Sequence, residues 1–168
     1  MNFFFDTEFS EAFAMRGVGA VRTIELISIG IVSEDGREFY AESSEVNLDH
    51  CNDWVKANVL PHLGPNEQRV SRAEIKERIL EFLGKDPILW AYYASYDWVV
   101  FCWLFGDMVD LPKGYPMLPM DLQQLWIHLG RPQNMKPSKP KNQHNALADA
   151  KWNKQFYDNL MNYQRDRK

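Results

Sequence analysis

Cysteine is nearly absent from this 168-residue chain, which carries two. Cys51 and Cys102 show no ligand-like spacing, which excludes a cysteine-based metal site, and both are expected as reduced thiols of a cytoplasmic protein. Long apolar runs are also missing. The longest wholly apolar stretch, residues 98–105, is far too short to span a bilayer, so no membrane association is expected. The N-terminus has no basic region, and Asp6 breaks its first apolar stretch, so a signal peptide is not expected. Positive charge is in deficit: 19 Lys and Arg stand against 23 Asp and Glu, a formal net charge of −4. That balance counts against a nucleic-acid binder that works through a basic surface. The objection weakens where carboxylates are metal ligands, because bound cations reverse the local field.

What is present is an ordinary globular composition, with 45% hydrophobic and 25% charged residues, enough for a full core in one domain spanning residues 1–168. No repeat and no long linker divides it. Six tryptophans and 14% aromatics are abundant for this length. They fit a bulky core with a subunit interface, or surfaces on which nucleobases stack.

The pattern of residues predicts an α/β fold. Residues 2–9 read as a buried strand rich in phenylalanine, followed by a loop containing Gly17 and Gly19. Residues 23–32, with Ile24, Ile27, Ile29 and Ile31, form a second strand, and an Asp35-Gly36 turn returns the chain into a third at 38–41. A helix is expected over 49–60, ended by Pro61. A clearer one follows, with Ser71 and Glu74 as a capping box, Val70 and Ile75 as a hydrophobic staple, and Gly84 closing the end. Residues 88–93 suit a central strand and 97–105 an apolar helix. A proline-rich connection over 113–119, with an edge strand near Met117, leads to a helix ending at Gly130. Residues 131–141 form a loop with four basic residues, and a final helix covers 145 to about 163.

This order implies one mixed five-stranded sheet, antiparallel over its first three strands and parallel thereafter, with helices on both faces. The helical crossover lays the strand at 88–93 parallel to the first. Both then release their C-terminal ends on one side, where open α/β sheets place their sites. Asp6 and Glu8 lie near one such end, and Asp97 follows the other.

Asp6 and Glu8 are two apart, so on a strand they point to one face and can share a cation. A carboxylate within an aromatic strand is costly unless a partner or a metal compensates it. Asp97, taken alone, reads better as a first-turn acid favoured by the helix dipole, and only the topology directs it toward Asp6 and Glu8. His144 and Asp149 lie about 140° apart on an ideal helix and cannot share a face. His144 is therefore expected in the segment before the final helix and Asp149 within its first turns. Four carboxylates and one imidazole are what a protein needs to hold two divalent cations beside a phosphodiester and to activate water.

The set Asp6-x-Glu8, Asp97 and His144-x4-Asp149 resembles the DEDDh 3′–5′ exonucleases of the ribonuclease H-like superfamily, over the whole length of the chain. The aromatics before Asp-Thr-Glu-Phe, the run Arg-Thr-Ile-Glu-Leu-Ile-Ser-Ile-Gly-Ile-Val and Leu-Trp-Ala-Tyr-Tyr are similar to the bacterial and phage exoribonuclease AS group. The resemblance implies a ribonuclease H-like fold, two Mg²⁺ or Mn²⁺ held by Asp6, Glu8, Asp97 and Asp149, and His144 as general base. It further implies a homodimer acting on single-stranded, adenylate-rich RNA 3′ ends. Phe9, Tyr93 and Trp98 lie beside the motifs, as base stackers or as core. Arg131 and Lys141, with Lys136 and Lys139 between them, offer phosphate contacts or make a solvated linker. Single-stranded DNA or oligonucleotides are the alternative substrate. A non-catalytic binding module is disfavoured, because clustered carboxylates repel phosphate.

Overall fold

The computed structural model describes the backbone of residues 1–16 and 19–167, and the side chains of these except residues 12–16. Five strands, β1 (Asn2–Arg16), β2 (Gly19–Ser33), β3 (Glu38–Glu42), β4 (Ile88–Ala91) and β5 (Met120–Asp121), form one sheet in the order β3-β2-β1-β4-β5. β1 runs antiparallel to β2, β2 antiparallel to β3, and β4 parallel to both β1 and β5. The helices are α1 (Asp53–Asn58), α2 (Arg72–Leu83), α3 (Ser95–Trp103), α4 (Leu122–His128) and α5 (Ala146–Arg165). This is the mixed α/β sheet expected from the sequence. Among the described residues, no helix is long and apolar enough to cross a membrane.

The aromatic start of β1 is explained by a sheet covered on both faces. Phe3 and Phe5 enter one core with Ile75 and Ile79 of α2 and Phe101 of α3. Phe4 points the other way, to Trp152, Phe156 and Leu160 of α5 and Leu122 of α4. Strict alternation thus sends Asp6 and Glu8 toward the α5 side. A bulge after Glu8 shifts the register, since Glu8 pairs with Ser28 but Phe9 pairs with Leu26. The extra residue, Ile27, joins a third small core with Cys51, Val55 and Val59, which seats α1.

Several boundaries differ from expectation. β1 does not stop near Phe9 but continues to Arg16, paired with β2 back to Gly19, in an arm whose β2 end is exposed. Gly19 opens β2, and the loop expected at Gly17 lies outside the described residues. The helix expected over 49–60 is broken into a turn at Leu48–His50, α1, and a turn at Leu60–His62 that contains Pro61. Asn47 and Asn52 cause the break: each side chain accepts an N-cap bond, from Asp49 and Val55 respectively, and so restarts the backbone. β5 pairs at Met120–Asp121, just beyond the position expected near Met117. α2 begins and ends where its sequence dictates, with Ser71 Oγ accepting from the Glu74 N–H at 3.2 Å and Gly84 at φ +66°. Only this half of the capping box forms, the Glu74 carboxylate pairing with Arg78 at 3.7 Å.

Candidate active site

The site forms where β4 leaves β1. Their pairing ends at Phe4 with Trp90, so beyond it β1 needs other partners for its backbone. Asn153 of α5, almost wholly buried, donates to the Phe5 carbonyl at 2.9 Å. Asp97, in the first turn of α3, accepts from the Thr7 N–H at 2.8 Å and the Thr7 hydroxyl at 2.7 Å through one oxygen. Side chains from two helices thereby clamp the acidic stretch of β1.

Gly30 of β2 pairs with Asp6, and α5 begins directly above it. A Cβ at Gly30 would collide with the backbone of Ala146 and Leu147. The missing side chain lets the first turn of α5 rest on the sheet. Asn145 caps that turn, accepting from the Ala148 N–H at 3.1 Å. His144 precedes the helix at φ +65°, and its N–H donates to Asp149 Oδ2 at 2.8 Å. The left-handed backbone at His144 folds the segment back so that base candidate and carboxylate are joined.

One oxygen each from Asp6, Glu8 and Asp149 lie within 4.8 Å of one another. Asp97 and His144 border the same cavity of about 320 Å³. All five residues singled out by the sequence are therefore brought to one place, with Asp97 one step outside the tight trio.

Electrostatics here are unfavourable without a cation. Burial, then the charges of Asp97, Glu8 and Asp149, hold the Asp6 carboxyl well above its ordinary range. Glu8 is pushed up to about 8 by burial and by Asp149 and Asp97. Burial lifts Asp97 to about 6 against the lowering effect of its bonds to Thr7. Asp149 is raised by burial and partly relieved by the His144 N–H and by Lys139. Converging carboxylates of this kind can hold a metal ion, whose charge would offset their mutual repulsion.

The family model of the 3′-5′ exoribonuclease Rv2179c-like domain matches residues 1–161. The chain belongs to this family. Two relatives from Mycobacterium tuberculosis, named 3′-5′ exoribonuclease Rv2179c (strain H37Rv) and 3′-5′ exoribonuclease MT2234.1 (strain CDC 1551), are each 43% identical over 157 residues, covering 90% of this chain and 88% of theirs. A solved structure of E. coli ExoI, a zinc-bound complex with single-stranded DNA, superposes with a TM-score of 0.59 at 14% identity, covering 99% of this chain and 41% of that one. At that identity the likeness concerns the fold, and it extends over the whole of this family member.

The other sequence candidates separate. Phe9 and Tyr93 border the cavity, Tyr93 exposed and at φ +57°. Trp98 instead lies in the core, 8% exposed and stacked on Phe101 at 5.4 Å. It sits one position past Asp97 on α3, and a 100° turn of the helix carries it inward. Arg131 and Lys141 are exposed and do not border the cavity; Lys139, between them, does. Lys139 Nζ lies 4.4 Å from the Trp152 ring centre, and the loop is tied down by Trp152 Nε1 donating to the Pro137 carbonyl at 3.0 Å.

Sequence reasoning missed Thr7, Asn153 and Tyr96, and also Trp54, whose ring meets that of His144 with centroids 4.8 Å apart. Thr7 stands between the two motif acids, so its parity alone assigns it to the opposite face, where α3 lies. Tyr96 stacks on Phe9 at 5.6 Å and 7°, one residue before Asp97. Asn153 is four residues after Asp149 and so returns to the same helical face. Nothing in the sequence points to Trp54.

Proposed function

We propose that this protein is a metal-dependent 3′–5′ exoribonuclease that releases nucleoside 5′-monophosphates from single-stranded RNA. The observation that carries this reading is the meeting of Asp6, Glu8 and Asp149 in one cavity with Asp97 and with a histidine joined to Asp149.

The donor set fits hard divalent cations. It is made of carboxylate oxygens, buried enough that their ionised forms need compensation. Asp6, Glu8 and Asp149 would hold one or both of two Mg²⁺ or Mn²⁺, with Asp97 at the second. Such cations, when bound, supply the charge that makes water nucleophilic near neutral pH and that stabilises the departing 3′ oxygen.

The residues of the chain do the remainder. His144 accepts the proton of the attacking water; the water oxygen joins phosphorus, the bond to the 3′ oxygen of the preceding nucleotide breaks, and that oxygen takes a proton from solvent to leave a new 3′ hydroxyl. Thr7 holds Asp97 in one orientation through two bonds. Lys139, the lysine that borders the cavity, meets backbone phosphate. Phe9, Tyr96 and Tyr93 present ring faces on which terminal bases stack. Similarity to the exoribonuclease AS group extends the proposal to adenylate-rich ends and to a homodimer. The buried free thiols of Cys51 and Cys102 accord with a cytoplasmic setting.

The test is degradation of 5′-labelled and 3′-labelled RNA, with Mg²⁺ and with chelator, beside DNA of the same sequence. The proposal expects a ladder from the 5′ label, mononucleotide from the 3′ label, silence in chelator and slower loss of DNA. Poly(A) compared with other homopolymers reads the end preference. Retarded but unshortened RNA would make the protein a binder.

A further inference from the structure

Trp54 is an exposed tryptophan, 55% accessible on the short helix α1, and the cores do not account for it. Its ring meets the His144 imidazole edge to face, centroids 4.8 Å apart and planes at 79°. Among the described residues, His144 is tied by its backbone N–H to Asp149, while its ring takes no hydrogen bond. A left-handed backbone fixes where the side chain leaves the chain, but not how the ring turns. Trp54 is the ring contact that does so.

The seat of Trp54 is itself firm. Asn52 caps α1 by accepting from the Val55 N–H at 2.9 Å, and the Asn58 side chain donates to the Trp54 carbonyl at 2.8 Å. Val55 and Val59 pack on Cys51 and Ile27, the residue the bulge turns to this side of the sheet. The irregularity beside Glu8 thus anchors the helix whose indole reaches His144.

We infer that Trp54 is a positioning residue for the hydrolysis: it braces the His144 imidazole at the cavity rim so that the ring meets the attacking water in one orientation. This rests on the exoribonuclease reading. Base catalysis loses rate when the acceptor is misoriented, with little change in how substrate binds.

The experiment is a double-mutant cycle on 5′-labelled RNA with Mg²⁺, using Trp54→Ala and Trp54→Phe in the wild-type and His144→Ala backgrounds, each with a thermal melt. Trp54→Ala lowers kcat by about tenfold with KM unchanged within about twofold. Trp54→Phe, which keeps a ring, recovers most of the rate. In the His144→Ala background, Trp54→Ala has no further effect, because the group it positions is gone. Trp54→Leu, which keeps apolar bulk without a ring, behaves as the alanine variant and serves should that variant not fold. A wild-type kcat in Trp54→Ala, or losses that multiply across the cycle, overturns the inference. A raised KM at unchanged kcat also overturns it and makes Trp54 a base-stacking surface. Wild-type protein inert on RNA refutes the exoribonuclease reading instead.

Discussion

Gly30 lies opposite Asp6 in the β1–β2 ladder and is also the floor on which α5 begins. One residue without a side chain therefore sets the distance between the Asp6–Glu8 strand and the helix carrying Asp149. Gly30→Ala forces the Ala146–Leu147 backbone away from the sheet, at about 1–3 kcal/mol of overpacking. The variant is expected to melt earlier and to need more Mg²⁺ for half-maximal activity. A melt and a Mg²⁺ titration of RNA degradation check this; an unchanged Mg²⁺ requirement would show that α5 is not seated by Gly30.

The acidic cluster makes metal-free protein less stable as pH rises. Glu8 stands at about 8 against an ordinary 4.5 and Asp97 at about 6 against 3.8, with Asp6 and Asp149 also raised. The folded state holds these protons longer than the unfolded chain. Stability is thus fully present below the ordinary carboxylate values and is lost as pH climbs through the raised ones, at up to about 1.4 kcal/mol per unit of difference. Melts in chelator should fall in temperature between about pH 5 and pH 8. Saturating Mg²⁺ should oppose that fall, because the cation binds the ionised form. A flat profile in chelator would contradict the electrostatics described.

Asp97 has two separable duties, holding Thr7 and contributing charge. Asp97→Asn keeps an acceptor for both Thr7 donors, so the fold should persist while activity falls by about 10–100-fold. Asp97→Ala leaves buried donors unpaired, at about 1–3 kcal/mol each. The pair of variants, compared by melt and by turnover, should differ more in stability than in activity. Equal stability would mean that the Thr7 bonds contribute little.

Two aromatics beside the motifs part ways. Trp98→Ala empties a core position against Phe101 and should cost about 3–5 kcal/mol. Tyr93→Ala removes an exposed ring at the cavity and should leave the melt unchanged. Its effect should appear in KM for RNA, worth about 1–3 kcal/mol per stacked base. Unaltered KM would assign base contacts to Phe9 and Tyr96 instead.

Much of the fold was legible because period and parity are local properties. The Phe3-Phe4-Phe5 run announces a sheet buried on both faces, and Ser71 and Gly84 mark the ends of α2. His144 before the helix and Asp149 within it follow from helical geometry alone. What escaped notice depends on tertiary placement. The strand arm from Ser10 to Arg16 is defined by its pairing with β2 back to Gly19, a partner that the local sequence does not announce. Two asparagines broke a helix whose apolar spacing looks continuous. Lys139, rather than Arg131 or Lys141, borders the cavity because the path of the loop is fixed by bonds from Trp126, Trp152 and Asn159 to its carbonyls. Trp54 reaches His144 only through the packing of α1.

The central claim is that the carboxylates gathered around Asp6 hold the cations on which hydrolysis depends. The direct measurement compares wild type with Asp6→Asn on 5′-labelled single-stranded RNA in Mg²⁺, with binding followed in parallel. The account predicts a stepwise 3′ ladder from wild type, and full-length but still bound RNA with the variant. Undiminished shortening by Asp6→Asn would contradict it.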